Sequence, residues 1–380
     1  MNTIKIPSDF HEITPQWLNL AFQNTGQDSL VIALTVVPLS QHGGFSSQLA
    51  RLTLQYNSPE VSILDGLPSS VPDSRPTSVI VKLPAANPNV RQLMTTMGVY
   101  EREVRFYEEI AGQTALRTPT RYYSQFDQTS GDYILLIEDL GTPQSQEVGC
   151  TLPEAQQILK HLAKFHAQWW ENPKLDTLDW LPNFNQGPDL EPLYRRSWDE
   201  FIIRFADSLP DWFLNIGVDF GDRLNAIRDH FAQSPRTIVH GDFRLDNVFL
   251  ASQKPQADSQ ISTGLEPTII DWQTTTLGRG IFDLAYLIAG NLQSYERDEI
   301  KTLLQTYHAA LVQQGVSNYS LQYCIEEHAL ATLFLMARTV ITGGQLDLSN
   351  EYMKRRFQIV LNRWISLLHQ MDLKPLIEKF

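Results

Sequence analysis

Short runs of Val, Ile, Leu and Thr dominate the apolar pattern in the first third of this chain, whereas later apolar residues mostly recur every three or four positions. The first pattern suits a pleated, half-buried sheet and the second suits amphipathic helices. Val31–Leu39, Ser47–Tyr56 and Thr77–Leu83 are predicted as strands separated by turn-forming residues. A helix precedes them within residues 10–25, where Thr14 can cap, Pro15 takes the first position and Gly26 lies past the end. A second helix is expected over residues 97–111, MGVYEREVRFYEEIA, because Val99, Val104, Phe106, Tyr107 and Ile110 fall at helical spacings. Strands are expected again at Thr120–Gln125 and Tyr133–Ile137.

Beyond that point the periodicity predicts helices over Pro153–Trp170, Leu193–Ala206, Asp219–Ala232, Asp283–Leu292, Glu296–Gln314, Leu321–Ile341 and Asn350–Met371. Short apolar segments between residues 237 and 277 interrupt them. Two stretches read as exposed connections: the Pro- and Ser-rich run after Tyr56, and ASQKPQADSQISTGLEPT from Ala251. The fold class is therefore α+β: an antiparallel sheet with one helix over residues 1–137, a linker at 138–142, and a mostly helical lobe over 143–380. A ligand cleft between two such lobes is the expected consequence.

Composition narrows the function. Of 380 residues, 42% are apolar and 19% charged, which describes an ordinary globular protein. The formal net charge of −13 argues against general binding to nucleic acid or an anionic membrane, since those surfaces need clustered Lys and Arg. Cys150 and Cys324 are the only cysteines, too few for a disulfide framework and not spaced for a metal. The N-terminus has no basic start and apolar run of the secretory kind, and the most apolar stretch, Ala329–Ile341, is short and contains Arg338. A cytoplasmic location without a protein partner is the expectation.

The chemistry is concentrated in HGDFRLDNVFL, residues 240–250, and in TIIDWQ, which carries Asp271. Phosphoryl transfer needs one carboxylate facing the attacking hydroxyl and oxygen ligands that hold Mg²⁺ on the nucleotide phosphates. Asp242 suits the first task, and Asn247 with Asp271 suits the second, because Mg²⁺ takes hard oxygen donors. Asp246, beside Asn247, competes for the metal role but is ranked below it as a partner for Arg244. Lys82 in VIVKLP lies on a strand, and the following helix offers Glu101, Glu103, Glu108 and Glu109. Gly43, Gly44, Phe45, Ser46 and Ser47 stand between two strands, as either a hairpin turn or a phosphate cover.

With these motifs in place, the chain resembles the protein-kinase-like small-molecule phosphotransferases, the aminoglycoside phosphotransferase and choline kinase group, and most of all its ecdysteroid-kinase-like branch. His240-Gly241-Asp242 and Asp271-Trp272 carry the likeness. It implies a bilobal kinase-like fold and a nucleotide cofactor, ATP with GTP not excluded, together with Mg²⁺. It also implies Asp242 as catalytic base, Asn247 and Asp271 as metal ligands, and Lys82 on the nucleotide phosphates with Glu103 as its partner and Glu101 next in line. The residues from Gly43 to Ser47 would cover the phosphates although the usual third glycine is missing. In LLIEDLG the Glu138 carbonyl and Leu140 N–H would meet the nucleobase edge, with Ile137 behind it. His240 would be structural, and Asp283 would cap a helix and brace the catalytic loop.

The acceptor is a small-molecule hydroxyl of unspecified kind. Trp180, Phe184, Trp198, Phe205, Trp212 and Phe213 would line a pocket for an apolar alcohol or belong to the core, and Lys354-Arg355-Arg356 reads as a solvated face or an anion contact. Two other functions share the motif set: an aminoglycoside-type antibiotic kinase, and a nucleotide-binding regulator without phosphotransfer.

Overall fold

The computed structural model describes residues 4–24, 30–39, 46–57, 75–252, 265–345, 349–371, 373 and 376. The chain forms two compact units, Met1–Gln113 with Thr118–Gly141, and Thr114–Arg117 with Thr142–Phe380. The architecture is mixed α+β, as the periodicity predicts.

The first unit is built on a five-stranded antiparallel sheet in the order β1-β2-β3-β5-β4. Its strands are β1 (Val31–Pro38), β2 (Ser47–Tyr56), β3 (Ser78–Pro84), β4 (Arg121–Phe126) and β5 (Tyr133–Glu138). Helix α1 (Pro15–Asn24) buries Leu18, Ala21 and Phe22 in a core with Ala50 and Leu52 of β2, Val79, Val81 and Leu83 of β3, and Ile134 and Leu136 of β5. Successive strand residues face opposite ways, so the burial of Val79, Val81 and Leu83 in this core turns Lys82 to the other face of the sheet.

Two departures from the expected elements occur here. Helix α2 (Pro88–Thr96) was not anticipated, although Asn87 accepts from Asn89 N and Val90 N and Pro88 occupies the first turn. The helix expected over 97–111 is α3 (Val99–Arg105), which starts after Gly98 at φ 67° and loosens into a π-type turn over Phe106–Ile110.

The second unit carries helices α4 (Leu152–Trp169), α5 (Leu190–Phe205), α6 (Asp211–Gly221), α7 (Leu224–Phe231), α8 (Ile281–Asn291), α9 (Arg297–Gln313), α10 (Leu321–Gln345) and α11 (Glu351–Leu368). Four short strands, β6 (Thr237–Val239), β7 (Val248–Ser252), β8 (Leu265–Ile269) and β9 (Thr276–Gly278), make two ladders, β6 with β9 and β7 with β8. Helix α8 is buried along nearly its whole length, and α10 and α11 both pack on it. The helix expected over 219–232 is α7, which begins only at Leu224; α6 was not anticipated, and it ends at Gly221, a poor helix former packed on the Tyr194 ring. Among the described residues no helix is long and apolar enough to cross a membrane.

The aromatic residues of α5 and α6 are mostly core. Phe213 and Phe205 are buried, and Trp198 stacks on Phe213 at 5.8 Å between ring centres. Phe184 packs on Phe231, Phe282 and Phe334.

Candidate active site

The two ladders of the second unit set the catalytic loop. Pairing of Thr237–Val239 with Thr276–Gly278 anchors the strand before His240, and pairing of Val248 with Ile269 anchors the strand after Asn247. Asn247 therefore stands opposite Ile270, whose N–H donates to the Asn247 carbonyl at 3.1 Å. Asp271 comes next along the chain. The register alone thus brings the two predicted metal ligands together.

Asp242 joins them. The Asn247 Nδ2 donates to the Asp242 carbonyl at 2.9 Å and reaches Asp242 Oδ2 at 3.4 Å. This spends the amide's hydrogens on the loop and leaves Oδ1 as its remaining acceptor, the atom a hard cation would use. Asp271 takes a left-handed backbone, φ 67° and ψ 55°, which costs a non-glycine residue about 1 kcal/mol and is least costly for Asn and Asp. An Asn oxygen and an Asp carboxylate are donors of the kind that Mg²⁺ takes and a soft metal does not.

The loop is held from behind by groups that carry no substrate chemistry. Asp283, fully buried in the first turn of α8, accepts from His240 N at 2.7 Å, from Gly241 N at 2.9 Å and from His166 Nε2 at 3.3 Å. The expected brace is present, but Asp283 is not the helix cap. Gly280 holds the capping position without a side-chain bond, and the Asp283 carboxylate is turned to the loop N–H groups. His166 is a core residue on α4, and the Tyr307 hydroxyl bonds its Nδ1 at 2.8 Å. His240 is buried; its Nε2–H donates to the Ile270 carbonyl at 2.9 Å, and its Nδ1 accepts from Asp242 N at 3.2 Å. That pair of bonds selects one neutral tautomer and ties Asp242 to the Asp271 segment. Trp272 packs its ring against His240 at 4.6 Å. Gly241 sits at φ 80°, where an added Cβ would meet the Thr274 carbonyl oxygen at 2.6 Å.

Around the Asp242 carboxylate the field is positive. Arg244 Nε lies 3.3 Å from Oδ2, the Tyr286 hydroxyl favours the ionised carboxylate, and the Arg338 guanidinium donates to the neighbouring Gly241 carbonyl at 2.7 Å. Burial pushes the Asp242 carboxyl up, but Arg244, Arg338 and Tyr286 outweigh it and hold the group below its ordinary pKa. Arg244 is farther from Asp246, at 3.9 Å, so the pairing expected between them is weak. Asp246 instead pairs with Arg356 of α11 and accepts from Gln146 N at 3.1 Å. The run Lys354-Arg355-Arg356 is therefore not one solvated face: Arg355 reaches Glu147 and Arg356 is half-buried against the catalytic loop.

In the first unit, Lys82 Nζ lies 2.6 Å from Glu103 Oε1, with the two side chains 7% and 0% exposed, so Glu103 and not Glu101 is the partner. Gly43, Gly44 and Phe45 lie outside the described residues. Ser46 accepts from the Tyr100 hydroxyl through its carbonyl at 2.7 Å, and Ser47 is buried as the first residue of β2. Ile137 and Glu138 close β5, and the Glu138 N–H is taken by the Thr120 carbonyl at 2.9 Å. Leu140 follows Asp139, whose carboxylate is bonded by Arg51, by Ser78 Oγ at 2.7 Å and by Gly141 N at 3.1 Å, so Asp139 is a structural tie and not a solvated turn residue.

Tyr286 and Arg338 were missed by the sequence reading. Each had a signal: Tyr286 lies three residues after Asp283 on the same helical face, and Arg338 is the one charge within the apolar stretch Ala329–Ile341.

The ecdysteroid kinase-like family model matches residues 41–317. No curated protein sequence matches the chain. Among solved structures, the GDP and kanamycin complex of APH(2")-IIia is 12% identical, with 95% of this chain and 98% of that one covered at a TM-score of 0.52. The GDP complex of wild-type aminoglycoside 2'-phosphotransferase-IIIa is 11% identical, with 92% and 98% covered at 0.51. A choline kinase from Cryptosporidium parvum Iowa II is 12% identical, with 91% and 93% covered at 0.49. At these identities the first two likenesses speak for a shared fold.

Proposed function

Since the chain belongs to the ecdysteroid kinase-like family, we propose that it is a phosphotransferase that moves the γ-phosphoryl of a nucleoside triphosphate onto a hydroxyl of a small molecule. The observation that carries this reading is the convergence of Asp242, Asn247 and Asp271 on one braced loop, with the oxygen donors that phosphoryl transfer requires. Asn247 Oδ1 and the Asp271 carboxylate would hold Mg²⁺, which when bound offsets charge on the phosphates. Lys82, kept charged and aimed by Glu103, is the group for the nucleotide's α and β phosphates. Ser46 and the glycines before it, with Ile137, Glu138 and Leu140, are assigned to covering the phosphates and edging the base. ATP is the expected donor; the GDP complex of the aminoglycoside enzyme keeps GTP as the alternative.

Asp242 performs the step at the acceptor. Its carboxylate accepts a hydrogen bond from the incoming hydroxyl and fixes the direction of attack on phosphorus. Its low basicity means that the proton moves late, once the new P–O bond has made the hydroxyl acidic. The test is Mg²⁺-dependent phosphoryl transfer from ATP and GTP across a panel of hydroxylated compounds. Transfer to at least one acceptor, lost on chelation, is the expected result. Nucleotide binding with no transfer to any acceptor would replace the kinase reading with that of a nucleotide-binding regulator.

A further inference from the structure

Three guanidinium groups gather at the catalytic aspartate of a protein whose formal net charge is −13. Arg244 lies 3.3 Å from Asp242, Arg356 pairs with Asp246, and Arg338 hydrogen-bonds Gly241, one residue before Asp242. Asp242 and Asp246 pair with two of these cations, and Asp271 and Glu147 act on Arg244 and Arg356 from farther off. The odd one is Arg338. It is exposed, and among the described residues it has no carboxylate within ion-pairing distance. Structural arginines of this unit look different: Arg279 is buried and bonded to Glu327, to Tyr323 and to two carbonyls.

Arg338 is nevertheless held in place. Its bond to the Gly241 carbonyl fixes one edge, and the Tyr286 ring under the guanidinium, 5.4 Å from its centre, fixes the plane. A planar guanidinium has five N–H donors, and one oriented in this way presents its remaining edge as a ready fork for a carboxylate or phosphate. Tyr286 serves both ends of the arrangement, since its hydroxyl favours the ionised Asp242 while its ring carries Arg338. A hydroxyl at Asp242 and an oxyanion at Arg338 would thus belong to one small molecule.

We propose that Arg338, with Arg244 beside it, binds an oxyanion of the acceptor, so that the substrate is an alcohol carrying a carboxylate or phosphate close to the phosphorylated hydroxyl. This rests on the kinase reading and deepens it. A cationic acceptor such as an aminoglycoside or choline would meet the wrong sign of charge here.

The test has a binding arm that needs no turnover. In the full chain labelled with ¹⁵N-arginine, inorganic phosphate and acetate are titrated while the guanidinium Nε–H signals are followed, that of Arg338 being the one lost in Arg338→Gln. A saturable shift of the Arg338 signal supports the site. Response to phosphate alone assigns a phosphorylated alcohol, and response to acetate alone a hydroxy acid. No response to either anion overturns the proposal.

The turnover arm compares glycerate and glycerol 3-phosphate with glycerol and choline. The anionic acceptors should show KM values about 10- to 100-fold lower than glycerol, the size of one charge-assisted pair. Arg338→Gln should erase that ratio, and Arg338→Lys, which keeps the charge, should restore part of it. Equal effects of Arg338→Gln on anionic and neutral acceptors, a preference for choline, or a loss confined to the nucleotide KM would each overturn the assignment. If the Arg338 signal responds to anions but no alcohol is phosphorylated, the oxyanion site stands and the kinase reading falls.

Discussion

Replacing Asp283 by Asn tests whether the catalytic loop is braced as the geometry implies. The carboxylate accepts two backbone N–H bonds, from His240 at 2.7 Å and Gly241 at 2.9 Å, and a third from His166, in a site with no solvent exposure. An amide keeps one acceptor oxygen but turns a donor toward one of the two N–H groups. One charge-assisted bond of about 1.5–3 kcal/mol becomes a neutral bond of about 1 kcal/mol, and a second N–H is left buried without a partner at about 1–3 kcal/mol. The sum is a loss of roughly 2–5 kcal/mol in stability, read as a lower urea midpoint at unchanged slope. Because the same bonds orient Asp242, turnover should fall about 10- to 100-fold with little change in nucleotide KM. A stability change under about 0.5 kcal/mol with unaltered turnover would refute the bracing argument.

Other expectations follow from the same structure. Glu103→Gln removes the charge that compensates buried Lys82 and should cost about 3–5 kcal/mol in thermal or chemical unfolding while raising the nucleotide KM. Gly241→Ala places a Cβ against the Thr274 carbonyl at a backbone angle unfavourable for alanine, which predicts about 1–3 kcal/mol of destabilisation and a sharp fall in turnover. His328 is fully desolvated on α10, and its pKa is pushed down to about 3 from an ordinary 6.5, so the folded protein keeps it neutral while the unfolded chain binds a proton below pH 6.5. Stability from this group is present above the unfolded pKa and is lost as pH falls toward 3, by about 2 kcal/mol between pH 7 and 5. His328→Leu should flatten that part of the pH–stability curve measured by denaturation.

Most of the architecture could be read from local pattern, because strand alternation and helical spacing are properties of neighbouring residues. Lys82 and its Glu103 partner were legible for that reason: one lies on a strand that buries Val79, Val81 and Leu83 on the opposite face, and the other on the next amphipathic helix. The neighbourhood of Asp242, Asn247 and Asp271 was legible because a single loop and one short ladder set their backbone positions. What escaped depends on distant segments. Arg356 meets Asp246 across more than a hundred residues, Arg338 reaches Gly241 from the middle of α10, and neither contact leaves a periodic trace. The break between α6 and α7 falls at Gly221-Asp222-Arg223, where Gly221 fits against the Tyr194 ring, a contact with a distant helix that local pattern does not show. Helix α2 carried an Asn-Pro start signal that its polar composition outweighed.

The most direct test of the account is phosphoryl transfer by Asp242→Asn and Asp242→Ala, measured with an acceptor that the wild-type protein phosphorylates, beside nucleotide affinity measured separately. The account predicts that transfer falls by about 100-fold or more in both variants while nucleotide affinity stays within about threefold of wild type. Wild-type-like transfer in either variant would contradict it.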